Sequence, residues 1–249
     1  MTQQEPILQV SHLKKYFKTP KGMLHAVYDV SFTIDKGKTL GVVGESGCGK
    51  STTGRAILRL IEPTSGQVTF EGQDVLALDK KQLRQMRRRM QIIFQDPYSS
   101  LNARMTISDI IAEPLKLHKL CANAAEREQR VNELTYIIIT HNLSVVNHLA
   151  DEIAVMYLGQ IVEKAPAVEL FEQPQHPYTK ALLSAIPVPS LRKKREIQPL
   201  TGEISSPIDP PNACRFAPRC PMACAKCTQG IPTLKDVGGG HQVACFLYE

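Results

Sequence analysis

Eight consecutive residues carry the densest chemistry in the chain: Gly44, Glu45, Ser46, Gly47, Cys48, Gly49, Lys50 and Ser51, spaced G-x-x-x-x-G-K-S, with Thr52 directly after. That pattern suits a loop wrapped around phosphate. Glycine lets backbone approach an anion closely. Amides of the loop and of a following helix N-terminus point at the negative charge. Lys50 would supply a positive charge to the terminal phosphates, and the Ser51 hydroxyl would ligate Mg²⁺.

The neighbouring elements must aim this loop. Residues 38–43 (KTLGVV) predict a buried strand before it, and residues 51–61 (STTGRAILRLI) a helix after it. Residues 7–13 and 27–34 alternate like strands, the second closing on the turn Asp35-Lys36-Gly37. Further strands are predicted at 67–72, 90–95 and 136–140, and helices at 80–89 and 124–134. Eight of 17 prolines lie in residues 187–221 and five of seven cysteines in 214–245, so the chain changes character near Pro187. The tail is predicted to be loop-like, without long helices.

Composition bounds the classes. With 249 residues, 43% hydrophobic and 22% charged, the chain is globular, which excludes a disordered tail, a collagen repeat and a disulfide-dense miniprotein. A net charge of +6 fits nucleotides, nucleic acid or a membrane surface. No apolar run approaches the roughly 20 residues that span a bilayer. The N-terminus has no signal pattern, and a cytoplasmic chain is expected. The basic stretches 84–89 and 192–195 have no interleaved aromatics for base stacking and read as solvated surface, so no nucleic acid partner is expected.

A phosphate loop alone fits a kinase, a GTPase, a helicase or a transport ATPase. The surrounding residues discriminate: Leu13-Lys-Lys-Tyr16-Phe17, Ile92-Ile-Phe-Gln95-Asp-Pro97 and Ile139-Thr-His141-Asn-Leu143. Together they resemble the ATP-binding cassette (ABC) family. Residues 38–63, 94–102 and 173–184 (QPQHPYTKALLS) are similar to ATPase subunits of dipeptide and oligopeptide importers. The resemblance implies an α/β fold: an ABC-type P-loop NTPase core with an N-terminal antiparallel β portion, a truncated helical subdomain and a Cys/Pro-rich C-terminal extension. Residues 1–186 would form the nucleotide-binding domain and 187–249 the extension. It further implies that Tyr16 or Phe17 stacks on adenine, that Gln95 touches Mg²⁺ and the attacking water, and that His141 contacts the γ-phosphate. Expected partners are transmembrane permease subunits, a second ABC ATPase subunit and, indirectly, a peptide-binding protein, at the cytoplasmic face of the membrane.

Parts of that family pattern are missing. Family members carry a signature motif at a helix start, then an apolar strand ending Asp-Glu, then a short D-loop. Here Gln95 and His141 are only 46 positions apart and none of these intervenes. An internal deletion near Leu134-Thr135 accounts for it. Ser65-Gly66-Gln67 leads into a strand rather than a helix, Asp96 lacks a following Glu, and Asp151-Glu152 starts a strand rather than ending one. ATP binding is therefore expected to persist and hydrolysis to be impaired, which leaves open whether the chain is an enzyme. The alternative is a nonfunctional remnant or a hydrolysis-dead regulatory module. Loss of a strand is also expected to weaken the sheet.

Cys214, Cys220, Cys224, Cys227 and Cys245 cluster in the tail. A cytosolic chain does not favour disulfides, so metal is the better explanation, as zinc or an iron–sulfur cluster. The resemblance implies Cys214, Cys220, Cys227 and Cys245 as candidate [4Fe-4S] ligands, with Cys224 extra.

Overall fold

The computed structural model describes residues 5–93, 105–186, 200, 202 and 204–249. Strands β1 (Leu8–Thr19), β2 (Gly22–Ile34), β4 (Ser65–Phe70) and β5 (Gln73–Asp74) form an antiparallel sheet in the order β2-β1-β4-β5. Both long strands carry bulges that reset their alternation. The buried positions step from Val10 to Leu13 and from Val27 to Val30. The extra residues His12 (φ 50°) and Asp29 (φ 57°) face each other, with His12 Nδ1 2.9 Å from Asp29 Oδ1.

The second sheet runs β6-β3-β7-β8-β10-β9, from β3 (Thr39–Val43), β6 (Tyr136–Ile139), β7 (Glu152–Tyr157), β8 (Gln160–Pro166), β9 (Lys235–Asp236) and β10 (Gln242–Val243). β3 lies parallel to β6 and β7, whereas β8, β10 and β9 continue antiparallel. Alternate residues face two cores, as the pleat requires. Leu40, Val42, Ala154 and Met156 pack towards the antiparallel sheet and α1 (Lys50–Ile57). Val43, Ile153, Val155 and Tyr157 pack on the other face with Leu143, Val146, Tyr178 and Phe216.

Six more helices complete the described chain: α2 (Lys80–Met86), α3 (Ile107–Leu117), α4 (Ala124–Asn132), α5 (Leu143–Leu149), α6 (Ala167–Glu172) and α7 (Pro177–Ser184). α2 starts on a reciprocal capping box between Asp79 and Gln82, which satisfies two amides that a helix start leaves free. The helical portion is thinly anchored: Ala112 and Val131 are buried, but Leu117 and Leu120 are exposed.

Several expectations need correction. The strand predicted at 90–95 is absent over residues 90–93, where Met90 N–H still closes a turn on Met86 carbonyl. Residues 94 and 95 lie outside the described residues. α1 ends at Ile57 rather than 61 and α2 at Met86 rather than 89, both closing into turns. The tail is mostly irregular, with three short 3-10 turns, yet its β10 also joins the main sheet. Only two residues, Leu134 and Thr135, separate the end cap of α4 at Glu133 from β6. Among the described residues β6 has no outer neighbour, and Tyr136, Ile137, Ile138 and Ile139 are all half-buried. No described helix is long and apolar enough to cross a membrane.

Candidate nucleotide site

β3 delivers the chain into the Gly44–Gly49 loop, and α1 opens directly from Gly49. Gly44 (φ 150°) and Gly49 (φ 103°) need glycine twice over. Each adopts a backbone conformation that L-residues avoid, and a Cβ would come 2.2 Å from Met156 carbonyl oxygen or Ala26 carbonyl oxygen, respectively. The loop is therefore pressed between β7 and β2. Lys50 is buried at 6% exposure and its ammonium turns back into the loop, donating to Gly44 O (2.8 Å) and Glu45 O (2.9 Å). Ser46, Gly47 and Ser51 face solvent, while Thr52 is half-buried. Cys48 is buried behind the lysine, and burial raises its thiol pKa.

The glycine cradle, a retained cation and an exposed hydroxyl beside it fit a polyphosphate with Mg²⁺. Phosphate oxygens would replace the backbone carbonyls as acceptors for Lys50. Ser51 and Thr52 follow Lys50 in the first turn of α1.

Tyr16 belongs to a pile of rings. It stacks on His25 at 4.1 Å and 13°, and His25 stacks on Tyr28 at 5.8 Å. The Arg215 guanidinium lies 4.5 Å from the centre of Tyr28 and also donates to Leu158 carbonyl. The pile adjoins the loop: Tyr28 N–H donates to Gly159 O (2.7 Å), and Gly159 N–H donates to Cys48 O (2.8 Å). Burial, with the Arg215 charge, lowers the His25 pKa; burial, with Tyr28 beside it, raises that of Tyr16. Phe17 stands apart and exposed, with Lys15 Nζ 4.8 Å over its ring. His25, Tyr28 and Arg215 were missed by sequence reasoning. Arg215 comes from the extension, 190 positions from His25, so no local pattern could have joined them.

His141 follows β6, whose Thr140 N–H donates to Val42 O (3.2 Å). Parallel pairing thus brings His141 to the end of the sheet where β3 enters the phosphate loop, the end at which such sheets bind ligands. His141 is exposed and hydrogen-bonds no described residue. Asp151 and Glu152 sit at the opposite end, where the Asp151 carboxylate accepts from Thr39 N–H (2.8 Å) and Lys38 Nζ (2.9 Å). Ser65-Gly66-Gln67 lies in β4. Gln95 and Asp96 lie outside the described residues. Of the basic stretches, Arg87 donates to Arg59 O and Arg89 pairs with Glu71, so the first is partly spent on internal contacts.

The tail cysteines converge without forming disulfides among the described residues. Cys224 Sγ and Cys227 Sγ are 3.6 Å apart, and Cys214 N–H donates to Cys227 O (2.9 Å). Burial pushes the Cys214 thiol up to about 11 and raises Cys220 and Cys245. Among the described residues no three His, Cys, Asp or Glu side chains are set to hold a metal ion.

The architecture is that of an ABC ATPase: a mixed α/β P-loop NTPase fold with an antiparallel sheet and a helical subdomain. Two solved structures share it at 18% identity: a dimeric post-hydrolysis state of the ATP-binding cassette MJ0796 bound to ADP and Pi (TM-score 0.51) and a dimeric structure of MJ0796, a bacterial ABC transporter cassette (TM-score 0.50). Each alignment covers 64% of this chain and 98% of the other. The ABC transporter family profile matches residues 27–162, and that of the oligopeptide/dipeptide transporter C-terminal region matches 162–227. The oligopeptide transport ATP-binding protein AppF of Bacillus subtilis is 37% identical over 324 residues, 98% of this chain and 98% of AppF. YkfD of the same organism is 38% identical over 315 residues, 98% of this chain and 96% of YkfD. The chain belongs to the ABC transporter ATP-binding subunits of the oligopeptide/dipeptide importer family.

Proposed function

We propose that this chain is an ATP-binding subunit of a peptide import system that holds Mg²⁺-nucleotide but hydrolyses it poorly. The carrying observation is the loop itself, with Gly44 and Gly49 pressed against backbone and Lys50 turned inward. In this reading Lys50 and the loop amides hold the phosphates, and Ser51 with Gln95 serves Mg²⁺. Tyr16 carries the adenine, favoured over Phe17 by its ring pile beside the loop. His141 faces the terminal phosphate. Bound ATP supplies the phosphoryl group, and its cleavage needs a positioned water as well as charge stabilisation. Among the described residues no strand ends, on the side of the loop, in an Asp-Glu pair that could position that water.

The alignments support an internal deletion. They run over 315 and 324 residues against a chain of 249, so at least 66 aligned positions (315 less 249) lack a counterpart here. The short α4–β6 connection at Leu134-Thr135 and the edge of β6, open among the described residues, fit a junction there. The division into residues 1–186 and 187–249 belongs to the same proposal. So do docking on permease subunits at the cytoplasmic membrane face, pairing with a second ATPase subunit, and delivery of peptide by a separate binding protein.

Titration with a fluorescent ATP analogue, alongside phosphate release, tests this reading. Binding that Lys50→Ala abolishes, with release no faster than in buffer, is expected. Release at an ordinary transporter rate overturns impaired hydrolysis; no binding at all favours the remnant. The iron–sulfur part of the proposal rests on the family resemblance and on the spacing of Cys214, Cys220, Cys227 and Cys245 in the sequence, since among the described residues no three such side chains are set to hold a metal ion. Anaerobically purified protein should absorb near 400 nm and contain iron and sulfide; zinc alone, or no metal, contradicts it.

A further inference from the structure

Glu45, inside the phosphate loop, is held at every polar group. Its N–H donates to the Tyr178 hydroxyl (3.0 Å), and its carbonyl accepts from Lys50. Its carboxylate receives both Arg219 Nη1 (2.8 Å) and Nη2 (3.1 Å). Arg219 comes from the extension, 174 positions away, and is 7% exposed. Tyr157 lies against it at 5.9 Å, with Tyr178 and Phe216 packed behind in an edge-on aromatic cluster. A two-pronged guanidinium on a carboxylate fixes orientation as well as charge.

We infer that Arg219 is a positioning residue of the nucleotide site: from the extension it clamps the phosphate loop through Glu45 and neutralises a carboxylate that would otherwise repel nucleotide phosphate. The nucleotide site is then incomplete without the extension. Arg219 is followed directly by Cys220, so the cysteine region and the phosphate loop are joined by one short stretch of chain. The inference rests on the nucleotide-binding reading for its affinity consequence and on geometry alone for its effect on the loop.

Two readouts on the full chain test it: affinity for a fluorescent ATP analogue, and amide hydrogen exchange over residues 44–50 without nucleotide. Arg219→Ala should weaken affinity about tenfold and speed exchange of the loop, because a charge is left unpaired. Glu45→Gln/Arg219→Ala should bind more tightly than Arg219→Ala alone, since the repelling charge is gone. A merely structural arginine would not give that recovery. Arg219→Lys, which keeps the charge but loses the fork, should fall between wild type and Arg219→Ala and remains informative if the alanine variant does not fold. Unchanged affinity and exchange, or losses that simply add in the double variant, overturn the clamp. If wild type binds no nucleotide, the function proposal fails separately, and loop exchange still decides: faster in Arg219→Ala upholds the clamp, unchanged rejects it.

Discussion

Two buried histidines that share Glu163 as a partner have their pKa values pushed in opposite directions. His176 caps α7 by accepting Tyr178 N–H on Nδ1 (3.0 Å), which requires a bare nitrogen; burial lowers its pKa to about 4. His241 lies between Glu163 (2.7 Å) and Glu169 (3.0 Å), and the Glu163 hydrogen bond raises its pKa. The signs oppose. The unfolded chain takes up a proton near pH 6.5 that folded His176 refuses, so its contribution is present above that pH and is lost as pH falls towards 4, about 3 kcal/mol in all. The His241 contribution is complete below pH 6.5 and is lost as pH rises through its raised folded value. From this pair, Tm should peak near pH 6.5. His241→Gln should flatten the alkaline side, and His176→Asn, which keeps a capping oxygen, the acid side. A Tm profile unchanged by both variants contradicts the assignment. Neither shift was legible in the sequence, because burial and partners come from distant elements. The phosphate loop was legible because its eight residues are contiguous and its glycines obey a local backbone demand.

The element that departs most from an ordinary parallel sheet is β6. A run such as YIII normally lies buried between neighbours, yet here all four residues are half-buried beside an edge that is open among the described residues, with Val145 and Leu149 exposed on the following helix. Exposed strand edges recruit other chains. Nucleotide-free protein should therefore unfold over a broad range and scatter light increasingly with concentration as it warms. A sharp, reversible two-state transition at high temperature, independent of concentration, contradicts that expectation. Strands β3, β4, β6 and β7 were legible from apolar runs and alternation. The apolar run at 90–93 misled for a physical reason: it caps the turn that ends α2 instead of pairing. β9 and β10 were invisible because two-residue strands carry no periodicity, and they exist only as a pair in which β10 lies against β8.

At the scale of the whole molecule, residues near the C-terminal end reach back to the phosphate loop and to the ring pile beside it. β10 lengthens the main sheet, Arg215 stacks in the ring pile, and Arg219 grips Glu45. The family pattern was legible because it is spread over the chain as short contiguous motifs. These inter-element contacts were not, because each joins residues more than 70 positions apart. Among the described residues the molecule thus keeps a loop, a lysine and a ring pile that fit a nucleotide, and the proposed poor hydrolysis is the point to test. The most direct test loads the purified chain with ATP and Mg²⁺, removes free nucleotide, incubates, and identifies what remains bound. Intact ATP is expected, with none recovered from Lys50→Ala. Recovery of ADP at the turnover of an ordinary transport ATPase would contradict poor hydrolysis.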